Sequence, residues 1–72
     1  MKAKLIAELP GRIVFIEKNV DETVVLEETV LVIESMKMEI PIGAPCAGRL
    51  ASIAVSVGDQ VAEGQLLATI EH

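Results

Sequence analysis

Aromatic side chains are almost absent from this chain: Phe15 is the single one in 72 residues, with no Trp and no Tyr. A core cannot rest on ring packing and has to come from Val, Ile, Leu and Ala, which the 51% hydrophobic content allows. Cys46 is the only cysteine, so no disulfide within the chain can help. A domain this short buries only about 60% of the surface its unfolded chain exposes. The aliphatic positions must therefore be used densely, and Phe15 is expected among them. Basic residues are also scarce: six Lys and Arg stand against eleven Asp and Glu, a net charge of −5 with no basic cluster. That argues against a nucleic-acid partner, which needs clustered cations. No apolar run approaches the roughly 20 residues of a membrane span, so membrane insertion is not expected. The opening Met1-Lys2-Ala3-Lys4 leads into no long apolar stretch, so no secretory signal is expected. An unpaired cysteine without an export signal points to the cytoplasm. The one histidine, His72, lies far along the chain from Cys46, which leaves no metal-ligand spacing. Without a phosphate loop or a nucleophile–base pair, nothing supports an independent enzyme.

What the chain does contain is an internal repeat. Shifted by 37 residues, Leu5–Ser35 aligns with Ile42–His72 without a gap. Eight pairs are identical, among them Ala7/Ala44, Gly11/Gly48, Arg12/Arg49, Val24/Val61, Ile33/Ile70 and Glu34/Glu71. Two copies are too few for a solenoid. They imply one domain over residues 1–72 with pseudo-twofold symmetry, whose halves complete each other's core.

Each half reads as strand and turn. Leu50, Ile53, Val55 and Val57 are apolar, and the step of three from Leu50 to Ile53 signals a bulge. Gly58-Asp59 and Glu63-Gly64 are turns around a short strand at Val61, and Leu66–Ile70 closes the half. The first half repeats this as Arg12–Lys18, a turn near Asp21-Glu22, Val24–Leu26 and Thr29–Glu34. The β-branched run Thr29-Val30-Leu31-Val32-Ile33 favours strand. Pro41 lies inside an apolar stretch and marks an edge or a bulge. No segment has helical periodicity with caps. The expected architecture is all-β, two small, mostly antiparallel sheets packed face to face.

Between the two copies lies Glu34-Ser35-Met36-Lys37-Met38-Glu39. Consecutive strands there need a tight loop, made by Met36-Lys37 or Lys37-Met38, yet the favoured Asn-Gly or Asp-Gly is missing. A turn built from unfavourable residues is a place where function overrides local preference. An isolated lysine is ordinarily a solubilising one, and a methionine is ordinarily core filler. At a two-residue loop, however, at least one of Met36 and Met38 must point outward. Cys46 reads as a small buried hydrophobe, and Arg12 and Arg49, each following a glycine, as sharing a structural role.

The run from Glu34 to Glu39, followed by Ala44-Pro45-x-x-Gly48 and Gly58-Asp59-x-Val61-x-x-Gly64-Gln65-x-Leu67-Ala68, resembles the biotinyl domain of biotin-dependent carboxylases, within the wider biotin/lipoyl attachment family. The resemblance runs from about Ala7 to Glu71 and is closest to the thumbless type of biotin carboxyl carrier. It implies a flattened β-barrel or barrel-sandwich hybrid of two four-stranded sheets, with the modified lysine at a hairpin tip and both termini at the other end. It implies that Lys37 is joined to biotin by a biotin–protein ligase. The carrier then shuttles a carboxyl group between biotin carboxylase and carboxyltransferase or decarboxylase sites. Met36 and Met38, flexible and polarizable, suit contact with these successive partners, and the resemblance implies that Glu34 helps the ligase choose biotin over lipoate. The sequence departs from the family pattern in its first half, where Asp21-Glu22 and Glu27 stand at the places of Gly58-Asp59 and Gly64; looser turns are expected there. The alternatives are a lipoyl carrier, a dual biotin/lipoyl attachment protein, or an unmodified interaction domain.

The chemistry divides in a definite way. Amide formation needs a neutral amine, and an ordinary lysine side chain is neutral in roughly one molecule in a few thousand at pH 7, a penalty of about 4.6 kcal/mol. Near Lys37 the sequence offers two acids, Glu34 and Glu39, and no base. Activation then belongs to the ligase and its activated acyl donor, and this chain is a substrate that presents an amine in fixed geometry.

Overall fold

The computed structural model describes residues 1–72 and contains strands and turns only. In chain order the strands are β1 (Lys2–Ile6), β2 (Gly11–Ile16), β3 (Thr23–Val24), β4 (Thr29–Ser35), β5 (Met38–Gly43), β6 (Gly48–Ile53), β7 (Gln60–Val61) and β8 (Leu66–Glu71). They form two four-stranded sheets, ordered β1-β8-β6-β3 and β5-β4-β2-β7, with every pairing antiparallel. Neither sheet closes on the other, so the molecule is a sandwich rather than a closed barrel.

The 37-residue shift carries β1, β2, β3 and β4 onto β5, β6, β7 and β8, and thereby one sheet onto the other. Each sheet takes its central pair from one half and its edge strands from the other, so the halves interleave. The inward residues meet in one aliphatic cluster that includes Ile13, Val30, Leu31, Ile33, Leu50, Leu67 and Ile70, all fully buried. The expected bulge is present: register slips between Leu50 and Ser52 in β6 and, at the repeated position, between Ile13 and Phe15 in β2. Pro41 lies in β5, an edge strand, where its missing N–H leaves no gap in the interior of the sheet.

Gly11 and Gly48 hold equivalent close approaches between strands. A Cβ on Gly11 would lie 2.5 Å from the Glu34 carbonyl oxygen, and one on Gly48 would collide with that of Glu71. These glycines let β2 and β6 come against their neighbours with no side chain between.

Phe15 corrects the sequence reading. It is 51% exposed and lies on the outer face of its sheet. The bulge at Val14 resets the in–out alternation, so Ile13 turns inward and Phe15 outward. The step-of-three signal at Leu50–Ile53, carried through the repeat to Ile13–Ile16, would have found this. Val57 is likewise exposed, as is its repeat partner Val20, and β2 and β6 end at Ile16 and Ile53, short of Lys18 and Val57. Cys46 is half-buried against the core. β1 was not assigned from the sequence; its exposed Lys2 and Lys4 alternate with inward Ala3 and Leu5.

The first-half turns are as tight as those in the second. Four turns, Asn19–Glu22, Val25–Glu28, Ser56–Asp59 and Ala62–Gln65, share one design. In each, the fourth residue's N–H donates to the first carbonyl at 3.1 Å. The fourth side chain in turn accepts the first residue's N–H at 2.8–3.0 Å. The third residue has positive φ: 79° at Asp21, 67° at Glu27, 97° at Gly58 and 85° at Gly64. A type II turn wants glycine there. Asp21 and Glu27 hold the same geometry under strain because the accepting side chain and the flanking strands leave no alternative. Glu27→Gly is expected to stabilise the domain by about 0.5–1 kcal/mol, the left-handed cost relieved less the greater freedom of glycine in the unfolded chain. Thermal unfolding should show Tm higher by a few degrees; a lower Tm would mean that the Glu27 side chain carries a contact of its own.

Lys18 ties the two first-half turns together. Its Nζ lies 2.6 Å from Glu28 Oε2 and 3.8 Å from Glu22 Oε2, while the other oxygen of each carboxylate accepts its turn N–H. The hydrogen bond from Lys18, with that from Val25 N–H, holds the Glu28 carboxyl below its ordinary 4.5; the bond to Glu28 holds the Lys18 ammonium above its ordinary 10.5. A depressed carboxylate contributes stability that is present above pH 4.5 and lost as pH falls through its folded value, whereas the raised ammonium contributes below pH 10.5 and fades above its folded value. Lys18→Met should therefore lower Tm at neutral pH by a small, constant amount, and the gap should close on acidification below pH 4.5. A gap independent of pH down to strong acid would remove the pair from the account.

Candidate functional site

β4 and β5 pair from Thr29↔Gly43 to Ser35↔Met38, so the connecting loop is Met36-Lys37 alone. Both residues have positive φ, 52° and 65°, the requirement of a type I′ turn, whose twist matches that of the flanking strands. Neither is glycine or asparagine. Each left-handed residue costs on the order of 1 kcal/mol or more and persists because the surrounding ladder leaves no alternative. The strain sits at the one loop where the sequence read as chosen for something other than turning.

The ladder aims what the loop carries. Lys37 is exposed at the apex and takes part in no ion pair. Met36 is 92% exposed and Met38 65% exposed, so neither fills the core and both flank the amine as free apolar arms. Glu34 lies one pair below, opposite Glu39, and its Oε1 accepts from Arg12 Nη2 at 3.3 Å. Sequence reasoning gave Arg12 and Arg49 one shared role, but Arg49 Nη1 instead meets Asp21 Oδ1 at 2.6 Å. Arg12 is thus part of the tip region in a way its repeat partner is not. An open groove of about 360 Å³ runs beside the tip, floored by Gly11, Arg12 and Glu34 and reaching Lys37.

The chain ends occupy the place equivalent to this loop. His72 N–H donates to Met1 O at 2.8 Å, and the shift of 37 carries Ser35 and Met38 onto His72 and Met1. β1 leads away from that end and, through residues 7–10, hands over to β2, which starts beside Glu34 at the tip. The amine and the two termini therefore lie at opposite ends of the sandwich.

A two-sheet sandwich with pseudo-twofold symmetry, offering one lysine on the tight hairpin that joins its halves, has the architecture of a cofactor-attachment domain. Residues 1–70 match the biotin/lipoyl family described as "Biotin-requiring enzyme", and the chain belongs to that family. It is 40% identical to pyruvate carboxylase of Staphylococcus aureus over 65 residues, which are 90% of this chain and 6% of that protein. It is 41% identical to the biotin carboxyl carrier protein of Streptococcus mutans over 64 residues, 89% of this chain and 49% of that protein. The urea carboxylase of Kluyveromyces lactis superposes with a TM-score of 0.94 at 32% identity, over 99% of this chain and 6% of that one. The lipoyl domain of the 2-oxoglutarate dehydrogenase complex of Azotobacter vinelandii superposes with a TM-score of 0.75 at 28% identity, over 100% of this chain and 94% of that domain. The chain thus spans half or less of the curated relatives described and corresponds to their attachment domain. It is a biotin/lipoyl attachment domain similar to the biotinyl domains of carboxylases.

Proposed function

We propose that this domain is a biotin carboxyl carrier, biotinylated on Lys37 by a biotin–protein ligase. In this reading it carries a carboxyl group between a biotin carboxylase site and a carboxyltransferase or decarboxylase site, in the cytoplasm. The observation that carries the reading is the strained Met36-Lys37 turn: an exposed, unpaired amine held at an apex by residues that turn poorly and present well. The domain contributes orientation, and the ligase supplies activation, so the domain is a substrate and not itself a catalyst. Exposed Met36 and Met38 provide flexible, polarizable contacts able to fit several enzymes in succession. Glu34, held by Arg12, is the proposed element of ligase choice. The carboxylase relatives favour biotin, and the lipoyl neighbour keeps lipoate as the second reading. Intact mass after co-expression with a biotin ligase, and separately with a lipoate ligase, tests both: one biotinyl amide supports the proposal, one lipoyl amide supports the alternative, and no gain with either removes the carrier reading.

A further inference from the structure

The two sheets share one backbone plan, so each outward position on one sheet has a counterpart on the other. On the sheet that bears Lys37, the outward row Arg12–Glu34–Glu39 is followed, further from the tip, by Phe15–Val32–Pro41. On the opposite sheet the equivalent rows are Arg49–Glu71–Lys2 and Ser52–Thr69–Lys4. The fold therefore accepts serine, threonine and lysine at the places where the lysine-bearing sheet puts phenylalanine, valine and proline. Phe15, the only aromatic residue of the chain, is half exposed on that row, and Val32 beneath it is 9% exposed yet stands outside the aliphatic core cluster. Phe15 and Pro41 are the exposed members of this row, apolar side chains that the architecture does not require, on the face that carries the amine.

The charges around it favour an occupant with basic side chains. Glu17 follows Phe15 along the chain and is exposed, and Glu34 and Glu39 lie between the row and the tip; Arg12 is engaged by Glu34. In a twofold self-association these acids would face one another. A three-residue row also falls well short of the roughly 800 Å² per partner of a stable interface, so it would serve as one anchor within a larger footprint. Val32 and Pro41 lie four to five residues from Lys37, about 15 Å along the strands. A single partner can cover both the row and the apex.

Resting on the reading of Lys37 as the acylated residue, we propose that the Phe15–Val32–Pro41 row is the docking surface for the ligase that acylates Lys37. The ligase presents an apolar pocket for the Phe15 ring, flanked by basic side chains that face Glu17 and Glu39. The row is a positioning element, and the amine itself makes the bond.

The test is the steady-state rate of biotin incorporation by a biotin ligase as domain concentration is varied, with Tm measured in parallel. Phe15→Ser installs the residue that the other sheet carries at the same backbone site. It is expected to raise KM about tenfold or more, the loss of one buried aromatic anchor, with kcat and Tm little changed. Pro41→Lys, the equivalent of Lys4, gives the same readout independently if Phe15→Ser unfolds. Ser52→Ala, on the opposite sheet, should leave KM unchanged. The wild-type KM should rise with salt, and less so in Glu39→Gln. Wild-type KM in both Phe15→Ser and Pro41→Lys overturns the docking surface while leaving Lys37 as acceptor. Sedimentation showing a concentration-dependent dimer that Phe15→Ser abolishes would reassign the row to self-association. If the wild-type domain is not acylated at all, the acceptor reading fails first and this one with it.

Discussion

Lys37→Arg is expected to abolish biotin incorporation entirely while leaving Tm within a few degrees of wild type. Arginine keeps the positive charge and the long aliphatic stem but has no amine able to form the amide. Lys37 makes no ion pair and is exposed, so its replacement falls in the class of surface changes worth about ±0.5 kcal/mol. Intact mass and thermal unfolding on the same sample separate the two roles: a lost mass gain with retained Tm identifies an acceptor, and a large fall in Tm would identify a structural lysine. Moving the amine by one residue, as Met36→Lys with Lys37→Met, sharpens the test. Both positions are already left-handed, so the loop can form either way, yet the amine leaves its oriented place. Poor labelling is expected. Labelling at the wild-type rate would show that the hairpin supplies exposure alone and not direction.

The second large effect is on stability. Gly11→Ala and Gly48→Ala should each destabilise the domain by about 1–3 kcal/mol, the cost of forcing atoms into a filled space. The obstacle in both cases is a backbone carbonyl oxygen, of Glu34 or of Glu71, which cannot swing aside as a side chain would. A domain of this size has on the order of 4–11 kcal/mol in total, so a Tm lower by about 4 °C or more is expected for each. Gly11 lies beside Glu34 near the tip, whereas Gly48 lies beside Glu71 near the termini. Gly11→Ala should therefore also slow acylation at temperatures where the domain stays folded, and Gly48→Ala should not. Equal acylation rates in the two folded variants would mean that the distance between β2 and β4 has no bearing on how the amine is presented.

The sequence carried the fold because its signals were redundant. The 37-residue shift, the paired glycines and the β-branched run Thr29–Ile33 all point to two sheets whose halves complete one core, and the step of three at Leu50–Ile53 specifies the bulge; the interleaving of the strands is visible only in the structure. The location of Lys37 was legible for the same reason, since the junction of two copies has to be a turn. Phe15 was misplaced because ring hydrophobicity was weighed against the register that the bulge imposes, and the register prevailed. The first-half turns were misjudged because Asp21 and Glu27 lack the glycine signal, while the conformation is enforced by the side chains of Glu22 and Glu28 one residue further on. The partition of Arg12 and Arg49 between Glu34 and Asp21 depends on where long flexible side chains settle at an exposed surface, which backbone pattern does not encode.

The interleaving of the halves has a consequence for how such a domain comes to have one hairpin apex and no more. A 37-residue half lies below the roughly 40 residues at which a chain builds a core alone, and here each half owns only the middle of one sheet and the borders of the other. Half-length chains of this kind would fold only as an intertwined pair with two equivalent openings, one at each end of the long body. Joining the pair once closes one opening as the Met36-Lys37 loop and leaves the other as the meeting of Met1 with His72. Having a single apex is then a property of the join: a symmetric body given one covalent link has one hairpin at one end, and under the proposed function a partner that grips it never has to choose between two.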